Sequence, residues 1–310
     1  MRKAFTLLIT GIILTTSCEK NDKEITKKEG WVNILENEDV YTISESNNGN
    51  IWFGGYNMGV AILEGTDWKY LDYNDGLNDN TVRSLYKSND DVIWIGTTEG
   101  LNYYENEQLE TETELSGEQV SAIHQDIHQN LWFGTYNGLY KYDGSTWEYY
   151  NEEDGLIDDF IESVTSDDNG KVWVSTGEGL SKYDGTKWEN YDSLYNYHGN
   201  GLDSEYIPDV MVDSKNNVWA VTWGGGLLKH DGDSWITFTK EDGLANNYGR
   251  QVIEDDAGKI IVGTTGGVSI YDGENWENES LGSQIRSLFK DSDGILWAGT
   301  KEDGAFKFIE

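Results

Sequence analysis

One short segment recurs along the whole chain and constrains its fold more than any other feature. It has the form apolar-Trp-x-Gly, as in Ile51-Trp52-Phe53-Gly54 and Leu131-Trp132-Phe133-Gly134. The Trp, or the residue in its place, stands at positions 52, 94, 132, 173, 219, 261 and 297. These positions are separated by 42, 38, 41, 46, 42 and 36 residues. A period of roughly 41 residues is typical of repeats built from four short strands.

Each repeat divides into four predicted strands. A first strand such as Val82 to Tyr86 leads through a polar turn into the Trp segment, which is the second strand. A glycine-containing turn then reaches a third strand such as Gly138 to Tyr142. The dipeptide Asp-Gly, which favours tight hairpins, precedes the fourth strand, as at Asp143-Gly144. Twelve of the 13 Trp fall on second or fourth strands, so we expect them in the core, with Trp223 as the exception.

The two ends of the repeat array complement each other. The last unit stops after its third strand, Ala305 to Ile309, whereas Trp31 to Leu35 has the form of a fourth strand and precedes the first unit. Pairing the two would close a ring and cover its open edges. The sequence therefore predicts an all-β, seven-bladed β-propeller, with four antiparallel strands per blade and residues 31–35 completing the last blade. An open solenoid of the same units is the structural alternative.

The first 30 residues differ from the repeats and predict an export segment. Residues 1–17 have a basic start and a short apolar stretch, as in a secretion signal. The only cysteine, Cys18, follows directly, and its setting resembles the acylation site of bacterial lipoproteins, although Leu14 stands one residue too early. Ordinary cleavage nearby is the alternative. We expect a signal peptide at 1–17, a flexible tether at 18–30 and the propeller at 31–310.

The charge of the chain limits the classes of macromolecule that it can bind. With 22 basic and 57 acidic residues, its formal net charge is −35. Nucleic acids and anionic membrane surfaces bind cationic faces, because phosphate groups must exchange their counterions. We therefore expect no nucleic-acid partner, and membrane contact through the lipid anchor alone. One cysteine also excludes a disulfide framework.

The full repeat resembles a known family. The stretch Asp167 to Asp184 has the form Asp-x-x-Gly-x-apolar-Trp, followed by Gly-Leu and Tyr-Asp, and it looks like the two-component regulator propeller repeat. The resemblance covers Trp31 to Glu310. It implies a periplasmic sensor module of the kind found in membrane receptors, many of which are thought to respond to carbohydrates. This sequence shows no transmembrane, kinase or response-regulator segment, so we expect a stand-alone lipoprotein similar to the sensor module.

Groups suited to catalysis or metal binding are few or unspecific. His124 and His128 are four residues apart, but they lie on a predicted strand and the following turn, where this spacing does not form a zinc site. Carboxylate pairs such as Asp158-Asp159 are abundant, so each one is weak evidence for acid/base chemistry. The repeats are also similar to those of streptogramin-cleaving propeller lyases, whose metal-assisted chemistry implies His and Glu near the channel. No His stands in that register here. We expect no metal, no cofactor and no enzymatic activity.

Three of the four Arg occupy one register of the repeat. Arg83, Arg250 and Arg286 each lie 11 residues before position 94, 261 or 297, on the predicted innermost strand. Clustered guanidinium groups near a channel would hold a carboxylate or sulfate by bidentate hydrogen bonds. Alternatively, each Arg pairs with an acidic neighbour and joins adjacent blades. The same register in the other repeats carries Tyr41, Ser121, Glu162 and Pro208.

A second group of candidate residues lies at loop tips predicted to share one face. The loops between second and third strands and the loops entering the next blade meet there, and aromatic rings beside amides suit stacking on sugars. The longest entering loop precedes the fifth blade. The candidate ligand-binding residues are Tyr56, Asn57, Tyr136, Asn137, Tyr197, His198 and Trp223.

These observations predict a non-enzymatic, monomeric ligand-binding or sensing propeller of the bacterial cell envelope, with a glycan or another small molecule as ligand. A scaffold that holds another envelope protein is the first alternative, because a fold does not fix a function. A propeller lyase or glycosidase is the second. We expect the protein to be exported and lipid-anchored to the outer membrane, facing either the periplasm or the cell surface.

Overall fold

Seven antiparallel sheets follow one another along the chain, as the repeat predicts. The computed structural model describes residues 27–28, 30–191 and 206–309. Apart from the last sheet, each blade takes four consecutive strands in simple up-and-down order. The first strand of each blade lies innermost, beside the first strands of the neighbouring blades. The predicted seven-bladed β-propeller is confirmed.

The strands of the first four blades are short, as a small radial sheet requires. Blade 1 comprises β3 (Val40–Glu45), β4 (Ile51–Gly55), β5 (Val60–Glu64) and β6 (Asp67–Leu71). Blade 2 comprises β7 (Val82–Lys87), β8 (Ile93–Thr97), β9 (Gly100–Glu105) and β10 (Gln108–Glu112). Blade 3 comprises β11 (Val120–Gln125), β12 (Leu131–Thr135), β13 (Gly138–Tyr142) and β14 (Trp147–Tyr150). Blade 4 comprises β15 (Ile161–Ser166), β16 (Val172–Thr176), β17 (Leu180–Tyr183) and β18 (Trp188–Tyr191).

The last three blades follow the same order. Blade 5 comprises β19 (Asp209–Val212), β20 (Val218–Val221), β21 (Leu227–His230) and β22 (Trp235–Phe238). Blade 6 comprises β23 (Gly249–Glu254), β24 (Ile260–Thr264), β25 (Gly267–Tyr271) and β26 (Trp276–Glu279). Blade 7 comprises β27 (Ile285–Lys290), β28 (Leu296–Thr300), β29 (Ala305–Phe308) and the N-terminal β2 (Trp31–Leu35).

Blade 7 closes the ring with strands from both ends of the described chain. β2 pairs antiparallel with β29, with Trp31 opposite Phe308 and Asn33 opposite Phe306. The predicted closure is confirmed, so the open solenoid is excluded. A fifth strand, β1 (Lys27–Lys28), adds to the outer edge through pairing with β2. Two residues of the segment predicted as a tether therefore belong to the sheet.

Details of the elements differ from the sequence prediction. Pro208 directly precedes β19 and does not lie within it, since the strand begins where backbone amides are available for pairing. Among the described residues, three short 3-10 helices lie between blades, at Tyr73–Asp75, Glu152–Asp154 and Lys240–Asp242. Each ends at a glycine in the left-handed conformation, as Gly76 does. Within the described ranges, no helix has the length and apolar character needed to cross a bilayer.

The Trp side chains divide into two groups. Those on second strands are buried, and so is Trp31. The five on the fourth strands of blades 1 and 3 to 6 are only half-buried, because these strands form the outer rim of the ring. The apolar core consists of seven clusters, each packed mainly between two neighbouring sheets.

The glycine of the Trp segment lies where one blade meets the next. A Cβ added to Gly134 would lie 2.5 Å from Cγ2 of Ile161, and one added to Gly54 would lie 2.5 Å from Cγ1 of Val82. Packed interiors do not accommodate such overlaps. The glycine therefore admits the apolar side chain that begins the next blade's first strand. The same contact joins Gly96 to Val120, Gly263 to Ile285 and Gly299 to Val40.

Between blades 5 and 6 the two sides of this contact are exchanged. Val221 stands where these other blades have the glycine, and Gly249 stands where their neighbours have Val or Ile. A Cβ on Gly249 would lie 2.6 Å from Cβ of Val221. Volume missing on one strand is thus supplied by the other.

Buried turns between first and second strands anchor several of the core Trp residues. In blade 5, Asp213 accepts hydrogen bonds from the backbone amides of Lys215 and Asn217 and from Nε1 of Trp219, the last at 2.8 Å. Asp126 and Asp291 hold Trp132 and Trp297 in the same way. Blades 1 and 2 carry Ser46 and Ser88 at this turn position, and Nε1 of Trp52 and Trp94 has no partner among the described residues. An aspartate at this turn thus supplies the acceptor for the indole in blades 3, 5 and 7, which the serine of blades 1 and 2 does not.

The exchanged contact predicts a compensating pair of substitutions. Gly249→Val should overpack the contact with Val221 and destabilise the fold by about 1–3 kcal/mol. Val221→Gly should leave a cavity and cost about 2–4 kcal/mol. The double variant restores the arrangement of the other blades, so most of both losses should be recovered. Urea unfolding of the four proteins measures this coupling.

Gly134→Val combined with Val221→Gly serves as the control, because these residues lie in different blade contacts. Its two losses should add. If the losses in free energy of unfolding of Val221→Gly and Gly249→Val also add, the two residues do not compensate for each other.

Candidate functional site

The seven first strands meet at the ring axis and enclose a pocket. Its volume is about 250 Å³, close to the lower end of the range usual for small-molecule sites, roughly 300 Å³. Every blade contributes a residue from the register that the sequence analysis singled out. These residues are Tyr41, Arg83, Ser121, Glu162, Pro208, Arg250 and Arg286.

A β-bulge lies at this register in six of the seven first strands. In blade 2 the pairing with the second strand shifts between Val82 and Ser84, so that Arg83 has no opposite residue. The same shift occurs around Arg250 and Arg286. Bulges re-aim side chains and are frequent beside functional sites. Here the bulged residue lines the pocket, whereas the apolar residue before it packs against the preceding blade.

Arg286 is paired internally. Its Nε lies 3.2 Å from Oδ1 of Asp39, and its Nη2 donates to Oδ2 at 3.3 Å. Both side chains are less than one-fifth exposed. This bidentate pair joins blade 7 to the chain entering blade 1, which is the structural role that the sequence left open for the arginines.

Arg83 makes a different set of contacts. Its Nη2 donates to the Tyr136 hydroxyl at 3.1 Å, and its guanidinium lies 4.9 Å from the ring centre of Tyr41. Tyr136 in turn packs against Phe160, with ring centres 3.6 Å apart. The hydrogen bond unites one predicted channel residue with one predicted loop-face residue.

Arg250 also reaches a loop-face residue. Its guanidinium lies over the Trp223 ring, 4.0 Å from the ring centre, and Trp223 contacts Tyr248 edge-on at 5.2 Å. The Nε of Arg250 is buried and has no hydrogen-bond partner among the described residues. The two sets of candidates that the sequence treated separately therefore form one surface at the pocket.

Two carboxyl groups share the pocket with these arginines. Burial raises the pKa of Glu162, while the charge of Arg83, a hydrogen bond from Tyr206 and the charge of Arg250 oppose that rise. Burial also raises the pKa of Asp209 to about 6. Asp209 accepts hydrogen bonds from the Ser163 hydroxyl at 2.6 Å and from the Val252 amide at 2.9 Å. It therefore ties the first strands of blades 4, 5 and 6 together.

The remaining loop-face candidates lie apart from the pocket. Tyr56 is 62% exposed. The Asn57 amide donates to the Thr81 hydroxyl, and the Asn137 side chain donates to Glu118. These two asparagines serve the local loop structure. Tyr197 and His198 lie outside the described residues.

Phe160, Tyr206 and Tyr248 were not among the site residues predicted from the sequence. All three stand two residues before the channel register of blades 4, 5 and 6, where blades 1 to 3 carry Asp39, Thr81 and Gln119. Comparing this second register across the repeats would have found them. Its aromatic members all lie on one side of the ring.

Metal-ligand geometry is not found in the described parts of the chain, where no three His, Cys, Asp or Glu side chains come together. His124 places its Nε2 2.8 Å from the Ser166 hydroxyl, and burial lowers its pKa to about 4. His128 lies beside Gly170 of the next blade. The two histidines therefore face separate neighbours.

The fold and this pocket define a seven-bladed propeller with an arginine- and aromatic-lined axial site. Four segments of the chain match the family model described as Two component regulator propeller, at residues 34–57, 76–99, 114–137 and 280–302. These four segments match the repeat that the sequence resembles, so the resemblance is confirmed.

Solved structures share the fold. The extracellular domain of a protein described as a hybrid two component system of B. thetaiotaomicron superposes with a TM-score of 0.79 at 23% identity, over 91% of this chain and 40% of that one. This chain therefore spans about two-fifths of the length of that domain. No curated protein matches the sequence.

Two enzymes have the same architecture at lower identity. Virginiamycin B lyase from Staphylococcus aureus has a TM-score of 0.71 at 11% identity, over 92% of this chain and 99% of the lyase. An ancestral GH74 enzyme has a TM-score of 0.69 at 14% identity, over 88% of this chain and 45% of that one. At these identities the likeness concerns the fold alone.

The buried carboxyl of Asp209 predicts a pH-dependent contribution to stability. Its folded pKa of about 6 exceeds its ordinary value of 3.8, so the folded state binds more protons than the unfolded state between these values. The stabilisation is fully present below about pH 4 and is lost as the pH rises through 6. Relative to Asp209→Asn, the wild-type protein should lose on the order of 3 kcal/mol between pH 4 and pH 7. Urea unfolding across this range measures the difference.

Asp143→Asn is the control, because hydrogen bonds from Thr146 and Ser145 lower the pKa of that exposed carboxyl. Its lowered pKa confines the change in stability to pH values below about 4, so wild type and Asp143→Asn should give nearly parallel profiles between pH 4 and pH 7. Parallel pH profiles for wild type and Asp209→Asn would contradict the raised pKa.

Proposed function

We propose that this chain is a non-enzymatic ligand-binding or sensing propeller of the bacterial cell envelope. The observation that carries the proposal is the joint surface at the axial pocket, where Arg83 meets Tyr136 and Arg250 meets Trp223. Such convergence of charged donors and aromatic rings at one pocket is typical of a recognition site. The structural likeness to an extracellular sensor domain supports this assignment.

The ligand of this proposal is a glycan, or a small molecule of similar chemistry. Sugars present apolar ring faces beside hydroxyl groups, and they bind where aromatic side chains adjoin hydrogen-bonding groups. Tyr248, which contacts Trp223, remains exposed and would extend such a surface along the loop face. A pocket of about 250 Å³ suits one sugar unit of a longer chain.

The pocket carboxyl groups support a binding role over an enzymatic one. Glu162 is hydrogen-bonded by Tyr206, and Asp209 is held by Ser163 and the Val252 amide. Each is therefore engaged in joining blades, whereas a general acid and base must be free to exchange protons with a substrate. Glycosidases need two such carboxyl groups facing one bond.

We further propose that the protein is exported, acylated at Cys18 and anchored to the outer membrane as a monomer. The signal-like start of the chain supports this. A lipid anchor would place the propeller at the envelope, where it would meet extracellular glycans or another envelope protein.

Thermal unfolding with a panel of oligosaccharides tests the proposed function. Maltotriose, cellotriose and xylotriose serve as neutral probes, and trigalacturonate serves as an acidic probe. A ligand at 100 times its Kd stabilises the folded state by about 2.7 kcal/mol, which should raise the Tm by on the order of 5 °C. Trp223→Ala should abolish this rise, since it removes the ring beside Arg250.

Tyr70→Ala is the matched control, because Tyr70 is an exposed aromatic residue on the outer strand β6. It should keep the full response. Absence of any shift with the whole panel, or an undiminished shift in Trp223→Ala, would refute a glycan site at the pocket.

A further inference from the structure

The three pocket arginines differ in how far their donors are used. Arg286 is engaged by Asp39 through two hydrogen bonds. Arg83 donates to the Tyr136 hydroxyl, and neither Arg83 nor Arg250 forms an ion pair within 4.0 Å with a described carboxylate. The Nε of Arg250 is buried without a partner. Two of the three charges are therefore not neutralised by direct pairing.

An unsatisfied buried donor is a rare and costly feature of a protein interior. The Arg250 guanidinium is fixed in place by stacking on Trp223, 4.0 Å from its ring centre. The edge of the guanidinium plane carries the donors that bind carboxylates, and a hydrogen bond with Tyr206 uses part of that edge. The structure therefore holds Arg250 in position while leaving its Nε unused.

The electrostatic surroundings also favour an anion at Arg250. Burial and the nearby positive charge of Arg286 both lower the pKa of Arg250, while Glu162 and Tyr206 oppose this change. Glu162 already accepts a hydrogen bond from Tyr206. The available group at this part of the pocket is thus a donor with a positive charge, and its complement is an acceptor with a negative charge.

We infer that the ligand carries an anionic group, a carboxylate or a sulfate ester, and that this group binds at Arg250 with Arg83 as the second cation. The inference rests on the proposed function, because it names the chemistry of a ligand at that same pocket. An acidic sugar unit fits it, with the anionic group directed to the axis and the sugar ring toward Trp223 and Tyr248.

Side-chain NMR provides a direct test, because the chain has only four Arg. The Nε–H signals of Arg83, Arg250 and Arg286 are assigned by single Lys substitutions. The purified protein is titrated with galacturonate and with its methyl ester, then with N-acetylglucosamine 6-sulfate and with N-acetylglucosamine. The Arg250 signal should move with the carboxylate or the sulfate and remain unchanged with the matched neutral sugar.

Arg286 supplies the internal control, since Asp39 already occupies its donors; its signal should move little in every titration. The two acidic probes distinguish a carboxylate from a sulfate ester. The inference would be overturned if the Arg250 signal moved with neither acid, or if it moved equally with the neutral sugars.

Affinity measurements provide a second readout that does not depend on the NMR assignment. Arg250→Gln should weaken binding of trigalacturonate at least tenfold and leave its methyl ester unaffected. The double variant Lys290→Gln/Asp256→Asn removes an ion pair outside the pocket without changing the net charge, so it should bind trigalacturonate as the wild type does. Equal losses in both variants would mean that the effect of Arg250→Gln does not depend on the place of Arg250 in the pocket.

These outcomes separate the inference from the proposed function. If oligosaccharides stabilise the protein but the Arg250 signal never moves, the ligand is not anionic at this position and the glycan proposal stands. If the Arg250 signal responds to the acids but no oligosaccharide stabilises the protein, the anion site stands and the glycan proposal is wrong. A lack of response in both experiments overturns both.

Discussion

The contact between a second strand and the next blade's first strand sets the geometry of this propeller. A glycine such as Gly134 lies so close to Ile161 that no side chain fits on it. Where Val221 replaces the glycine, Gly249 replaces the apolar partner. Volume missing on one side of the contact between blades 5 and 6 is thereby supplied by the other side. Since the spacing of the first strands follows from it, the width of the axial pocket also depends on this contact.

The inner edge of each sheet is stabilised by side chains from the adjacent blade. First strands have a ladder partner on one side only, so their inward amides need other acceptors. Thr42 accepts from the Leu85 amide, Asp209 from Val252, and Gln251 from Leu288. These polar side chains directly follow the channel register, and their hydrogen bonds join neighbouring blades. A bulged residue without a partner on the second strand precedes Thr42 and Gln251, so its side chain can line the pocket while the ladder continues on either side.

The sequence predicted the fold in detail but the site only in part. The strand order and the ring closure could be predicted because the same pattern recurs seven times and the two ends of the array complement each other. It also placed Arg83, Arg250 and Arg286 in one register. It did not reveal that Arg286 pairs with Asp39, since that contact spans 247 residues and depends on ring closure. The contacts of Arg83 with Tyr136 and of Arg250 with Trp223 depend on how loops fold over the bulges, which no residue pattern encodes.

A ligand at this pocket would touch blades that lie far apart in sequence. Arg83 belongs to blade 2, Trp223 to blade 5 and Arg250 to blade 6. The close glycine contacts leave little room for the blades to rotate against one another, so binding would change the stability of the closed ring more than its shape. A ligand alters an equilibrium only through contacts that differ between the states in equilibrium. A signal from such a domain would therefore pass to a partner through the loop face that the ligand occupies.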